Sequence, residues 1–419
     1  MPDQQVPAQQ THDRLAAVRI PEYRFLLLGR FAFTMALRMM STLVIWWTYQ
    51  LTKNNFVVGM LGLSEFLPAL LMALYSGYIV DRSRKKALLL RCLCCYILCA
   101  STLLLLSTSY ISENFTDAHI VGGVFMVIFC TGIIRSFTGP CFSSLLATIV
   151  PRHLLQNATT WNQSTGLGAS VTGHAMGGFL IALLGNTGAL IIICALLTSS
   201  FIFLTQLKMR APSLTGRDKN AWHSIREGLG FVFKTKVLLG AMSLDMFAVL
   251  FGGVSAVIPA YTDVILEVGP VGLGWLNAAI NIGAIIVVIL MLLFPMKKAQ
   301  GVKLMLAAAG YGVCIIAFGL SSFFSISFLL LVLAGMLDGI SVVVRGTVMQ
   351  LKTPDQMRGR VSSVSSMFVN SSNELGQFES GVTASLFGLV PSVVFGGCMT
   401  LLVVIITWFK APGLRKFEY

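Results

Sequence analysis

The chain has 419 residues, 56% of them hydrophobic and only 11% charged, with a mean hydropathy of +0.81, where a soluble domain carries about 25% charged residues. That balance excludes a water-facing globule and leaves the bilayer as the solvent that fits. The net charge of +13 does not point to nucleic acid, because the basic residues sit in short connectors between apolar runs, the topology signal of a membrane protein.

The first 20 residues, opening MPDQQVPAQQTHDR, are polar and lack the apolar stretch of a signal peptide, so 1–20 reads as a disordered cytoplasmic tail. A spanning helix needs roughly 20 mostly apolar residues. Twelve such runs follow, at about 24–49, 56–80, 86–109, 119–148, 157–185, 187–207, 236–263, 270–294, 303–320, 326–350, 361–388 and 391–409. Alternate connectors carry the positive charge: Arg82, Arg84, Lys85 and Lys86; Arg152; Lys208, Arg210, Arg217, Lys219 and Arg226; Lys297 and Lys298; Lys352, Arg358 and Arg360. Both termini belong to that set. The opposite connectors hold Lys53, Glu113, Asp117, Asp263 and Glu267. The positive-inside rule then places both ends of the chain in the cytoplasm.

The connector 208–235 is the longest and most polar, and its AWHSIREGLGFVF reads as a short interfacial helix. It divides the chain into an N-terminal six-helix bundle, 21–207, and a C-terminal one, 236–410, with a cytoplasmic tail at 411–419. The halves look repeated. An offset of 203 residues lays Pro151 on Pro354, Gly173 on Gly376, Gly178 on Gly381 and Gly185 on Gly388. Two halves of equal orientation fit a parallel repeat, with the substrate site between them near mid-membrane. The nine cysteines read as small buried hydrophobes rather than a disulfide or metal framework. Trp46 and Trp47 read as an interfacial aromatic belt.

Ionisable residues inside apolar runs carry the most information, because burying them in hydrocarbon is costly. Arg30 and Arg38 lie in the first run, Glu65 in the second, Arg135 in the fourth and Asp245 in the seventh. Asp338 and Arg345 lie in the tenth, Glu374 and Glu379 in the eleventh, and His174 in the fifth. Each is either an interhelical strut or part of one central polar cavity, and for the group a shared cavity is the economical reading. A polar stripe of Ser363, Ser366, Asn370, Asn373 and Gln377 recurs at helical spacing beside Glu374. Such a stripe faces a seam or a water-filled path, not lipid. The candidate proton carriers are Glu374 first, then Asp338, with Glu65, Asp245 and Glu379, and Arg135 beside them. Arg30, Arg38, Arg345, Asn370, Asn373 and Gln377 are the candidate substrate contacts. Gly173, Gly177 and Gly178 admit close helix packing around His174.

Several motifs resemble the major facilitator superfamily. GYIVDRSRKK, from Gly77 to Lys86, is similar to its motif A, and Arg135-Ser-Phe-Thr-Gly139 to the core of motif B. GHAMGG resembles the antiporter motif C, with His174 where proline is usual. FLPALLMALYSGYIVDRSRKK, GPCFSSLLATIVPRHLLQNATT, PDQMRGRV and VNSSNELGQFESG look like the enterobactin-exporter-like and macrolide-efflux-like branch. The resemblance implies the twelve-helix major facilitator fold, with Gly77, Asp81, Arg82, Lys85 and Lys86 as a cytoplasmic gating latch. It implies export by proton antiport and alternating access.

No P-loop and no metal-spaced histidine cluster appears, so the chain reads as a transporter, not an enzyme, with no cofactor and no bound metal. The leading expectation is export of a small amphipathic molecule, siderophore or drug, across a bacterial inner membrane by a monomer exchanging protons. The arginines would suit an anion and the many Phe and Met residues an apolar drug. An importer or lipid flippase of the same fold is the alternative; a receptor or scaffold has no need of buried charge on so many spans.

Overall fold

Apolar runs in hydrocarbon must satisfy every backbone N–H and C=O internally, so they fold as helices. The computed structural model describes residues 15–208, 221–294, 299–354 and 357–418, and helices dominate throughout. The first half comprises α1 (Pro21–Thr52), α2 (Asn55–Arg82), α3 (Lys85–Leu106), α4 (Asp117–Ile149) and α5 (Leu155–Thr205). The connector contributes α6 (Ala221–Lys234). The second half comprises α7 (Lys236–Gly252), α8 (Gly269–Leu293), α9 (Gln300–Leu320), α10 (Phe324–Lys352), α11 (Arg358–Phe387) and α12 (Leu389–Lys410).

Among the described residues, nine helices are long and apolar enough to cross a membrane, or ten if the bent pair Arg226–Lys234 and Lys236–Gly252 counts as one span. Three features separate this from the twelve expected runs. The fifth and sixth runs form one helix, α5, broken at Gly185 (φ +68). The seventh run leaves regular helix at Gly252–Gly253, and a π-turn, Tyr261–Ile265, follows. The eleventh, α11, carries the polar stripe, which lowers its hydropathy. The expected interfacial segment is helical, and it meets α7 at 101°.

The offset of 203 residues has a physical basis. Gly185 and Gly388 both take positive φ, +68 and +90, at the break after a long helix, where a residue with a Cβ would be strained. Gly173 lies against Met35 and Arg38 of α1, and Gly376 against Val249 and Leu250 of α7. The first helix of each half thus packs on the matching glycine of that half.

Several expectations change. Ala17 is buried and its N–H donates to Asn157 Oδ1, so the end of the expected tail packs on α5, while its first fourteen residues lie outside the described residues. At the other terminus Leu414 and Phe417 are buried, and Gly301 N–H donates to Phe417 O. Trp46 and Trp47 sit in the core, not in a belt. Cys92 and Cys141 are buried, but Cys94, Cys95 and Cys398 are exposed. In this fold the tryptophans face neighbouring helices.

Two seams join the halves, α2 against α11 and α5 against α8. Each is closed at one end. At the end remote from the termini, a methyl on Gly59 would stand 2.9 Å from Gly381 Cα, and one on Gly274 would stand 3.0 Å from Gly178 Cα. Lys53 and Gln50 reach Asp263 there, with Lys53 Nζ 2.7 Å from Asp263 Oδ2. Five turns along the same face of α2, a methyl on Gly77 would meet nothing within 4 Å. Five turns before Gly178, Thr160 is exposed. At the end bearing the termini these positions make no such approach, and α6 touches both α2 and α11.

Candidate functional site

Two glycines bring three charges together. Gly132 lets α4 approach until its missing side chain faces Glu65 O and Pro68 on α2. Gly62 lets α2 approach α11, where a methyl would stand 2.9 Å from Glu374 O. Glu65 and Arg135 each lie three residues beyond their glycine, about one helical turn. Arg135 Nη1 therefore donates to Glu65 Oε1 at 2.7 Å and to Glu374 Oε1 at 2.6 Å. One guanidinium joins two helices of the first half to one of the second. Charge-assisted bonds of this kind are the strong ones.

The group is wet. The Arg135 side chain is 39% exposed and that of Glu65 29%, although both lie in the middle of long helices. Their partner on α11 turns them toward the space between the halves, not toward lipid. Arg38, midway along α1, is also exposed, with Arg135, Glu65 and Glu374 within electrostatic reach. Ser366, Asn370 and Asn373 are exposed along α11, and the stripe ends at Gln377, whose Nε2 donates to Val58 O on α2 at 3.2 Å. Because Gln377 faces α2, the residues before it on that stripe face the same gap. Together they line a water-accessible chamber, open toward the termini and shut above Glu374. Ser363 and Asp81 have side chains outside the described residues.

A second set of charges lies within the second half. Arg345 on α10 pairs with Asp245 on α7, and Ser341 Oγ donates to Asp245 Oδ1 at 2.9 Å. The pair is nearly dry, with side chains 10% and 5% exposed. Asp338, one turn before Ser341, lines a cavity of about 10 Å³ with Asp245, Tyr311 and Ser341, the volume swept by a single water. These residues contact one another, so Asp245, Arg345 and Asp338 sit apart from the group around Arg135. Glu379 stands alone: its Oε1 is buried without a hydrogen-bond partner.

The remaining expectations fall in three places. His174 is buried at the α1–α5 contact, its Nδ1 2.8 Å from Thr42 Oγ1, and Gly173, Gly177 and Gly178 line that contact and the α5–α8 seam. Arg30 lies over the Phe142 ring at 5.5 Å. In the motif A-like segment, Lys86 Nζ donates to Thr205 O and Leu207 O at 2.7 and 2.8 Å, a tie inside the first half, while Gly77, Arg82 and Lys85 lie at the open end. Thr42, Ser341, Gln50 and the Lys53–Asp263 pair escaped the sequence reading. Lys53 offered a signal, as the lone cation among acidic connectors.

The family profile of the Major Facilitator Superfamily matches residues 26–377. The chain is 24% identical over 254 residues to a protein named multidrug efflux pump Tap of Mycolicibacterium fortuitum, spanning 59% of this chain and 61% of that protein. It is 23% identical over 411 residues to one named enterobactin exporter EntS of Shigella boydii, spanning 95% and 94%. Among solved structures, a D-xylose-proton symporter superposes with a TM-score of 0.73 at 14% identity, covering 97% of this chain and all of that one. The nucleoside transporter NupG superposes at 0.72 and 11% identity, covering 93% and 99%.

Proposed function

The chain belongs to the Major Facilitator Superfamily, and from that premise we propose that this membrane transporter exports a small amphipathic molecule from the cytoplasm in exchange for protons. Its two bundles, 21–207 and 236–410, rock about the chamber, with all twelve runs crossing the bacterial inner membrane and both termini inside. The basic connectors support that orientation, and the relatives named as exporters support the direction.

One observation carries the reading: Arg135 holds Glu65 and Glu374 at once, across the halves. An ionised Glu374 ties α11 to α4 and so favours the state closed at the far end. Protonation of Glu374 removes its charge and loosens the tie. A substrate that takes up Arg135 does the same. The empty, unprotonated carrier therefore rests closed at the far end, and it leaves that state with either a proton or a substrate bound. A two-state rocker needs such a differential contact, because a ligand that binds both states equally shifts nothing. Asp338 and Glu379 are the reserve candidates for the proton, and Asn370, Asn373 and Gln377 the polar wall for the substrate.

The test is Glu374→Gln in inside-out vesicles. Proton-driven uptake of a fluorescent efflux substrate should fall at least about tenfold, while exchange of substrate for substrate survives. Full proton-driven transport by that variant defeats the assignment, and accumulation in right-side-out vesicles reverses the direction.

A further inference from the structure

Among the described residues, the charges around Arg135 are unevenly shared. Glu65 and Glu374 both lean on Arg135. Arg38 has no carboxylate partner of its own among the described residues, and its electrostatic neighbours are that same trio. Arg30, two turns nearer the open end, meets the Phe142 ring rather than an acid. Two guanidiniums, Arg38 and Arg135, therefore share two carboxylates, and both carboxylates are already bonded to Arg135; protonation of Glu374 leaves the group with an excess of positive charge. An unpaired arginine at this depth is costly unless something compensates it.

Arg38 is also held in place. A methyl on Gly173 would stand 2.8 Å from Arg38 Cβ, so the absence of a side chain at 173 makes room for the arginine stem at the α1–α5 contact. Met39 and Met40 beside it are buried while Arg38 is exposed. The guanidinium is thus the part of this turn that the chamber receives. Phe33 of the same helix packs edge to face on Tyr96 and tilted on Phe142, with centroids 5.3 and 5.5 Å apart, and backs α1 with rigid apolar mass.

We infer that the chamber takes a small amphipathic organic anion, anchored by Arg38 with Arg30 toward the entrance, and competing with Glu374 for guanidinium. This rests on the carrier reading above and names its substrate class. A planar carboxylate or phenolate matches the fork of an arginine. A cation of the same size meets the excess positive charge and is excluded.

The experiment measures equilibrium binding, without any gradient, to the full chain in nanodiscs. The probes are radiolabelled 1-naphthoate and the similar-sized 1-naphthylmethylammonium, with empty nanodiscs subtracted. The anion should bind at least about tenfold more tightly than the cation. Arg38→Gln should weaken 1-naphthoate about tenfold or more, Arg38→Lys should retain part of the affinity, and both should keep the wild-type thermal midpoint. Equal affinities, a preference for the cation, binding of neither probe, or an unaltered Arg38→Gln each overturn the inference. Anion preference alongside an unaffected Glu374→Gln transporter refutes only the proton reading. A proton-coupled transporter with no anion preference refutes only this one.

Discussion

Two clusters of buried charge use the same chemistry to different ends. Around Arg135 a guanidinium bridges the halves and stays 39% exposed. Around Arg345 a guanidinium bridges two helices of one half, in a pair 10% and 5% exposed. The wet cluster can exchange partners with water, protons or a substrate, because each broken bond is replaced. The dry cluster cannot, because a lost partner leaves a charge stranded in low dielectric. What distinguishes a working site from a strut is therefore solvent access across a movable seam, not the presence of ion pairs.

Substitutions should widen or erase that contrast. The largest effect belongs to the dry pair. Asp245→Ala should lower unfolding stability by about 3–5 kcal/mol, read as a fall in the thermal midpoint in detergent. The double change Asp245→Leu with Arg345→Met should restore most of it, since a packed apolar pair replaces the ions. If Asp245→Ala were tolerated as well as Arg135→Gln, the distinction would collapse. Gly132→Ala comes next: its new methyl meets Glu65 O and Pro68, and overpacking of this kind costs about 1–3 kcal/mol. It should also part Arg135 from Glu65 and slow transport several-fold. An unchanged midpoint and rate would mean that α4 has room to yield.

Arg135→Gln should cost about 1–3 kcal/mol in stability, less than Asp245→Ala because Arg135 and Glu65 keep access to water, yet reduce proton-driven transport at least about tenfold. That split between stability and transport is the signature of the wet cluster, and a loss of stability matching that of Asp245→Ala would remove it. Smallest is Lys53→Asp at the closed end. The Lys53 side chain is 54% exposed, so the pair is worth less than about 1 kcal/mol. Spin-label distances across the far ends of α2 and α11 should show a two- to five-fold gain in the open population. The exchanged pair Lys53→Asp with Asp263→Lys should reverse that gain, and its failure to do so would leave the seam glycines as the whole of the closure.

The sequence by itself determined the helical class, the membrane setting, the asymmetry of connector charge and the residues worth asking about. Those properties depend on composition and local periodicity, which every stretch of chain displays on its own. The paired glycines at 185 and 388 were legible for the same reason, as a repeat that needed no partner to be seen. Tertiary structure decided the rest. Ten ionisable residues looked alike in the sequence, yet the fold put Arg135 with Glu65 and Glu374, shut Arg345 against Asp245, and left Arg38 facing the gap. Trp46 and Trp47 went to the core because neighbouring helices, not the chain around them, set what they touch. Lys53 and Asp263 are 210 residues apart; no local pattern connects them, and only the closing of two helix seams makes them neighbours.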